Sequence, residues 1–224
     1  MNSIYGLILA SGTGERTGLN IPKQFFKIND KTLLEMSIDA FEKNEFITDI
    51  IIVSHWDFID ETQKIIEKNN YKKVRKVIKG GQTRQQSSYN GVSEIPDTAH
   101  VLIHDAVRPF VTQKIITDCV KALEKYNAVG VAIPCTDTII QINNNLIENI
   151  PKRETLMQIQ TPQAFSVEVI KKAHEYAKEH PEITVTDDCG LIKSLNLCNI
   201  FVVEGDVKNI KITYPKDLAI AKNI

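Results

Sequence analysis

Three glycines within seven positions, Gly12, Gly14 and Gly18, follow a short apolar run, and two cations, Arg16 and Lys23, stand among and just beyond them. Glycines let backbone N–H groups turn inward and approach an anion closely. The stretch from Ala10 and Ser11 through Gly18 therefore reads as a phosphate-wrapping loop with positive side chains beside it. Three known designs compete. A Walker A loop sets Lys-Ser/Thr directly after its last glycine, whereas Leu19-Asn20 follow Gly18, and that excludes it. A dinucleotide fingerprint places its third glycine one residue earlier and needs an acidic residue ending the second strand, where Ser54-His55-Trp56 stand. A nucleotidyltransferase loop, with Arg16 and Lys23 beside a triphosphate, fits better; the plain alternative is a glycine-rich turn with solvated cations.

Two further segments carry polar chemistry at predicted strand ends. Asp105 sits just past a strand expected over residues 101–104, at the carboxyl edge where open α/β sheets bind ligands, and can take a ribose hydroxyl or a metal-bound water. The competing role is a carboxylate capping the next helix. Gly80-Gly81-Gln82 closes another strand and opens a helix through Arg84 and Ser87, so its backbone groups can face a flat pyrimidine edge. Other eye-catching residues have ordinary explanations. His104 lacks a serine or cysteine partner at a recognisable spacing and reads as a satisfied, partly buried histidine. Cys189 has no neighbour that would activate a thiolate, and Trp56 reads as a packing or loop residue. Lys72-Lys73 with Arg75-Lys76 has no interleaved aromatics and reads as a solvated face.

These residues need a scaffold, and the rest of the chain supplies one. Its 224 residues, 42% hydrophobic and 25% charged, suit one domain over residues 1–224 with a real core. Twenty-seven Lys+Arg against twenty-eight Asp+Glu leave a net charge of −1, so no nucleic-acid or membrane partner is expected and any anion must be gripped locally. No apolar run reaches the roughly 18 to 20 residues of a spanning helix, and no basic start precedes an apolar stretch, so a cytoplasmic location is expected. Cys119, Cys135, Cys189 and Cys198 form no CxxC pair and read as reduced structural thiols.

Short β-branched runs at 4–10, 50–53, 74–78, 101–104, 129–134 and 201–204 alternate with amphipathic stretches at 33–43, 57–69, 114–126 and 167–178. That alternation predicts an α/β, three-layer, mostly parallel Rossmann-like sheet, its strands buried on both faces. One stretch departs from it. Residues 138–142 and 146–150 flank Asn143-Asn144-Asn145, which predicts a β-hairpin. Such a hairpin, spanning about 138–152, either lies on its own domain or projects as an arm toward a second subunit.

Six segments, taken together, resemble the cytidylyltransferases that act on small polyol phosphates, the group of 2-C-methyl-D-erythritol 4-phosphate and D-ribitol 5-phosphate cytidylyltransferases. They are the glycine loop with Pro22-Lys23-Gln24-Phe25, Gly80 through Ser87, Val101 through Pro109, Asp137-Thr138, Gln160 through Phe165, and Asn209 through Thr213, in family order. The resemblance implies transfer of CMP from CTP to a polyol phosphate with Mg²⁺ or another divalent cation, and a homodimer joined through the arm. It implies Arg16 and Lys23 as catalytic cations and a nucleotide site of Ala10, Ser11, Gly12, Gly14, Gly81, Gln82, Arg84, Ser87, Asp105 and Ala106. The acceptor would meet Asp105, Arg108, Thr161, Thr186 and Lys211, with Thr138 and Arg153 lent across the dimer by the neighbour, so that Arg108, Arg153 and Lys211 surround one phosphate, and Asp105 is the one candidate metal contact.

The chain departs from the family pattern at Ser11 and Thr17, which leave the charge logic intact, and at Val107 and Asp188-Cys189, which neighbour the acceptor. Val107 and Phe110 lean toward ribitol phosphate and Thr186-Asp187-Asp188 toward methylerythritol phosphate, with the latter narrowly favoured. An oxidoreductase using NAD(P) and a silent nucleotide sensor are the competing classes.

Overall fold

The computed structural model describes residues 3–13 and 21–224. In chain order it comprises β1 (Ile4–Ala10), β2 (Lys27–Ile28), β3 (Lys31–Thr32), α1 (Leu33–Lys43), β4 (Asp49–Ser54), α2 (Ile59–Asn69), β5 (Val74–Lys79), α3 (Arg84–Ser93) and β6 (His100–Asp105). There follow α4 (Gln113–Leu123), β7 (Ala128–Pro134), β8 (Gln141–Asn143), β9 (Leu146–Asn149), β10 (Met157–Ser166), α5 (Val167–Glu179), α6 (Asp188–Ser194), β11 (Phe201–Glu204) and α7 (Pro215–Ala221). Among the described residues, seven strands form one sheet in the order β11-β7-β10-β6-β1-β4-β5. The pairs of β1 with β4 and β6, of β4 with β5 and of β7 with β11 are parallel.

Alternation along each strand divides the core in two. Ile8 and Ala10 of β1 and Ile50 and Ile52 of β4 point to one face, where Leu34, Ile38 and Phe41 of α1 and Ile115, Ile116 and Cys119 of α4 cover them. Leu7 and Leu9, with Ile51 and Val53, point to the other, under Val92 of α3, Ile170 and Ala173 of α5 and Leu191 of α6. These strands are apolar on both sides because helices cover both sides, which gives the three layers expected from the sequence. Gly91 permits a close approach of helix to sheet: a Cβ there would stand 2.4 Å from Leu7 Cδ1, so glycine lets α3 lie tight against β1.

The predicted strands and helices are present, with ends shifted by a few residues. The short elements β2, β3, α6 and α7 escaped the sequence reading, as did one long strand, β10. β10 runs antiparallel between β6 and β7, near the middle of the sheet. Its pattern hides it: Pro162 interrupts the run, Gln158, Gln160 and Gln163 alternate with apolar residues, and the β7 register shifts between Gln160 and Ala164.

The hairpin is present and shorter than expected. Asn144 and Asn145 both adopt positive φ, 48° and 64°, the backbone of a two-residue turn matched to strand twist. Pairing covers β8 and β9 alone, and a bulge between Gln141 and Ile142 ends it before residues 138–140. Both strands are exposed along their whole length, including Ile142, Leu146 and Ile147 at 62%, 72% and 60%. The four cysteines are free thiols; burial pushes that of Cys119 up to about 12. The basic run near residue 75 is an exposed face in which Arg75 pairs with Asp49 and Lys76 with Glu94 at 2.7 Å. No helix among the described residues is long and apolar enough to cross a membrane.

Candidate active site

A cleft of about 420 Å³ opens at the carboxyl ends of β1, β4, β5 and β6. Ala10, Ser11 and Gly12 line it from the end of β1, Gly81, Gln82 and Arg84 from the turn into α3, and Asp105 from the last position of β6. Lys23 enters from a 3-10 turn at Lys23–Phe25, and Lys211 from the segment after β11. Neighbouring Gln24 is buried and donates through Nε2 to the carbonyl of Ala10 at 2.7 Å, which pins the returning loop to the end of β1. Lys23 is itself 8% exposed, and its Nζ donates to the Thr213 carbonyl at 3.1 Å. Gly14 and Arg16 lie outside the described residues.

At the floor of the cleft runs a chain of buried charges. Arg84 Nε lies 3.2 Å from Asp105 Oδ1, and its Nη1 lies 2.8 Å from Asp188 Oδ2. Lys211 Nζ takes the other oxygen of Asp105 at 2.7 Å. Ser88 donates to Asp188 Oδ1 at 2.6 Å, and His174 Nε2 stands 3.2 Å from the same oxygen. Burial, the largest single influence, would raise both carboxyls, but Arg84, joined by Lys211 and Arg108 at Asp105 and by His174 and Ser88 at Asp188, holds both well below the usual carboxylate range. Arg84, which burial would weaken, is held above its ordinary value by Asp188 and Asp105.

The unpredicted β10 positions much of this. Gln160 donates to the Asp206 carbonyl at 2.9 Å, and Asn209 donates to the Thr161 carbonyl at 2.9 Å, so the segment bearing Lys211 is tied to the strand. Gln163 donates to Asp187 and accepts from the Cys189 N–H, which places the start of α6 and hence Asp188. Thr161 Oγ1 accepts from the Asp105 N–H at 3.1 Å and bonds His104 Nδ1 at 3.1 Å. His104 Nε2 lies 3.0 Å from the Arg108 carbonyl, which can only accept, so the ring proton sits on Nε2 and the Thr161 hydroxyl donates to Nδ1. Burial drives His104 down to about 4, leaving a neutral, fully buried strut rather than the partly buried histidine expected.

Several expected contacts face inward instead. Ser87 is 1% exposed, and its oxygen is occupied by Ser11, the Gly81 N–H and the Thr83 carbonyl. Ala106 is fully buried, its N–H on the Leu9 carbonyl and its own carbonyl accepting from Ser37. Thr161 serves Asp105 and His104, and Arg108 donates through Nη1 to the Asn209 carbonyl at 2.8 Å, so both act here as supports. Arg153 is exposed on a 3-10 turn and donates to the Thr136 carbonyl at 3.1 Å, bracing the base of the arm; Thr138 and Thr186 are exposed too, and none of the three lines the cleft. Within one chain, Arg108 and Lys211 lie apart from Arg153, which the resemblance assigns to the neighbouring subunit's acceptor. Conversely, His55, Trp56 and Val107 line the cleft, and Trp56, 49% exposed on the turn after β4, takes the loop position of the two roles expected. Its position directly after a predicted strand was the available signal.

Replacing Arg84 by methionine leaves two buried carboxyls without their shared cation, which is expected to cost about 3–5 kcal/mol in urea denaturation. The sign with pH follows from the lowered carboxyls. Their contribution is fully present above the ordinary value of 3.8 and is lost as pH falls through the lowered one. Wild-type stability should therefore decline on acidification below about pH 4, and Arg84→Met should show a shallower acid slope. Identical stability and slope in the two proteins would refute this account of the network.

Residues 4–224 match the family model for 2-C-methyl-D-erythritol 4-phosphate cytidylyltransferase. The cytidylyltransferase of that name from Clostridium perfringens is 39% identical over the whole chain and 99% of its own length. A bifunctional ribulose 5-phosphate reductase/CDP-ribitol pyrophosphorylase, Bcs1, from Haemophilus influenzae is 41% identical over the whole chain, which spans 48% of that longer protein. Among solved structures, 4-diphosphocytidyl-2C-methyl-D-erythritol synthase from Anaerococcus prevotii superposes with a TM-score of 0.88 at 30% identity, covering 99% of this chain and 95% of its own. With the strand-end cleft and its cations already in place, these likenesses put the chain in the 2-C-methyl-D-erythritol 4-phosphate cytidylyltransferase family, whose members are CTP-dependent nucleotidyltransferases.

Proposed function

We propose that the protein transfers CMP from CTP to 2-C-methyl-D-erythritol 4-phosphate and releases pyrophosphate. The observation that carries this reading is the family match over residues 4–224, laid on a cleft whose carboxyl-edge position and cations suit a nucleoside triphosphate. D-Ribitol 5-phosphate is the second reading, favoured by the 41% identical relative named for CDP-ribitol synthesis.

In this reaction an acceptor phosphate oxygen attacks the α-phosphorus of CTP, and the bond from that phosphorus to the bridging oxygen of the β-phosphate breaks. With a second pKa near about 6 the acceptor phosphate is already largely a dianion at neutral pH, so no general base is required. Repulsion between two anions is the obstacle, and placed cations lower it. Lys23 and Arg16 neutralise the charge that builds at the α-phosphorus, while Lys211 offers a point charge toward the acceptor. Asp105, held ionised, suits a ribose hydroxyl better than proton transfer.

Among the described residues no group of three His, Cys, Asp or Glu side chains could cage a metal ion. Asp105 offers a single carboxylate whose oxygens already face Arg84 and Lys211. This donor set fits a divalent ion that arrives on the triphosphate as part of the substrate, where it shields phosphate charge.

The exposed arm supports a homodimer in which β8 and β9 pack on the neighbouring subunit, bringing Thr138 and Arg153 toward that subunit's acceptor. A cytoplasmic location is part of the same proposal.

Supplying CTP, Mg²⁺ and each polyol phosphate in turn should release pyrophosphate with the methylerythritol compound; release with ribitol phosphate alone would transfer the assignment to the second reading. Lys23→Ala should lower kcat by about a hundredfold or more while CTP affinity changes far less. Equal losses in both would make Lys23 a binding residue only. Inactive Lys23→Ala and Arg153→Ala proteins, mixed under conditions of proven subunit exchange, should regain activity, and no recovery would refute the shared site.

A further inference from the structure

Trp56 is the chain's single tryptophan. It opens a 3-10 turn, Trp56–Phe58, directly after β4 and lines the same cleft as Gly81, Gln82 and Lys23. That turn is tied to the glycine corner after β5, because the Gly80 N–H donates to the Ser54 carbonyl at 2.8 Å. The indole is backed by a buried ring: His55, 6% exposed, lies with its centroid 4.0 Å away. Phe58 meets His55 edge-on at 5.8 Å, and Phe25 stands 5.3 Å from Phe58, so the support continues into the α1 side of the domain. A large apolar ring is thus braced from behind while half its surface stays in a polar cleft.

Charge decides what such a ring can meet. Phosphates gain from Lys23, Arg84 and Lys211, whereas an indole offers them nothing. A flat pyrimidine and the carbon face of its ribose gain from a π surface. Nor can Trp56 select cytosine, since every base has a π face; selection falls to the backbone groups at Gly81 and Gln82.

We propose that Trp56 packs its indole against the cytidine half of bound CTP and supplies much of the affinity that the cations do not. This rests on the cytidylyltransferase reading. Because no other tryptophan is present, its emission reports on this contact alone. Emission is followed during titration with Mg²⁺ and either CTP or inorganic triphosphate, and calorimetry measures the binding of each separately. CTP should shift or quench the emission in step with calorimetric binding, while triphosphate should leave it unchanged. Trp56→Ala should weaken CTP binding about fivefold or more without changing affinity for triphosphate, and Trp56→Phe should restore most of the loss. Emission unmoved by CTP that calorimetry detects, wild-type CTP affinity in Trp56→Ala, or equal weakening of CTP and triphosphate would overturn the proposal and leave the cytidylyltransferase reading intact. Absence of calorimetric CTP binding to the wild-type protein, together with no pyrophosphate release, would overturn both.

Discussion

Arg84 lies between two carboxylates that burial would otherwise drive toward neutrality, and the cleft depends on that bridge. Desolvating Asp105 and Asp188 is costly, and a buried ion network seldom yields net stability over well-packed apolar residues. What it does yield here is geometry. One guanidinium joins the end of β6, the start of α3 and the start of α6, and Lys211 adds the segment after β11. The two acids and the two bases of this network balance, so the floor of the cleft is close to neutral.

Much of the scaffold was legible because parallel strands buried on both faces announce themselves as short, continuous apolar runs. Ile50 to Val53 and Val101 to Ile103 could hardly be anything else. β10 was illegible for the complementary reason: its glutamines and Pro162 look like surface or loop. Their use is internal, since Gln160, Thr161 and Gln163 each hold a loop that carries a cleft residue. Strand-end position was enough to find Asp105, Gly81 and Gln82. It could not show that Ser87 and Ala106 are saturated by their own neighbours, nor that Arg84 finds Asp188 across 104 residues of sequence. Spacing gives the end of an element, but the partner of a polar group is set by tertiary packing.

The arm poses the opposite situation, in which local chemistry is clear and the packing partner is missing from the chain. Two asparagines at positive φ close the turn, yet a two-stranded ribbon is marginal alone, and its isoleucines and leucine find no cover on their own domain. Arg153 braces the base of the ribbon through the Thr136 carbonyl and stays outside the cleft of its own subunit. The proposed assembly of two chains would answer both facts together, burying the apolar ribbon and bringing Arg153 toward the neighbour's acceptor.

His104, Asp105, Asp188 and Arg84 at the floor of the cleft all have their titration moved away from pH 7, in different directions. Burial leaves His104 neutral, Arg84 keeps Asp105 and Asp188 ionised, and those acids in turn keep Arg84 charged. Asp105, Asp188 and Arg84 are thereby charges that stay fixed near pH 7. That suits a reaction whose nucleophile arrives already deprotonated, because a preset field lowers the repulsion between two phosphates without reorganising at the moment of attack. The acceptor phosphate, whose second proton leaves at about pH 6, brings its own pH dependence to the rate. The hydrogen bonds of Thr161 and the ion pairs of Arg84 are therefore parts of one device, which holds charges still so that substrates of like sign can meet.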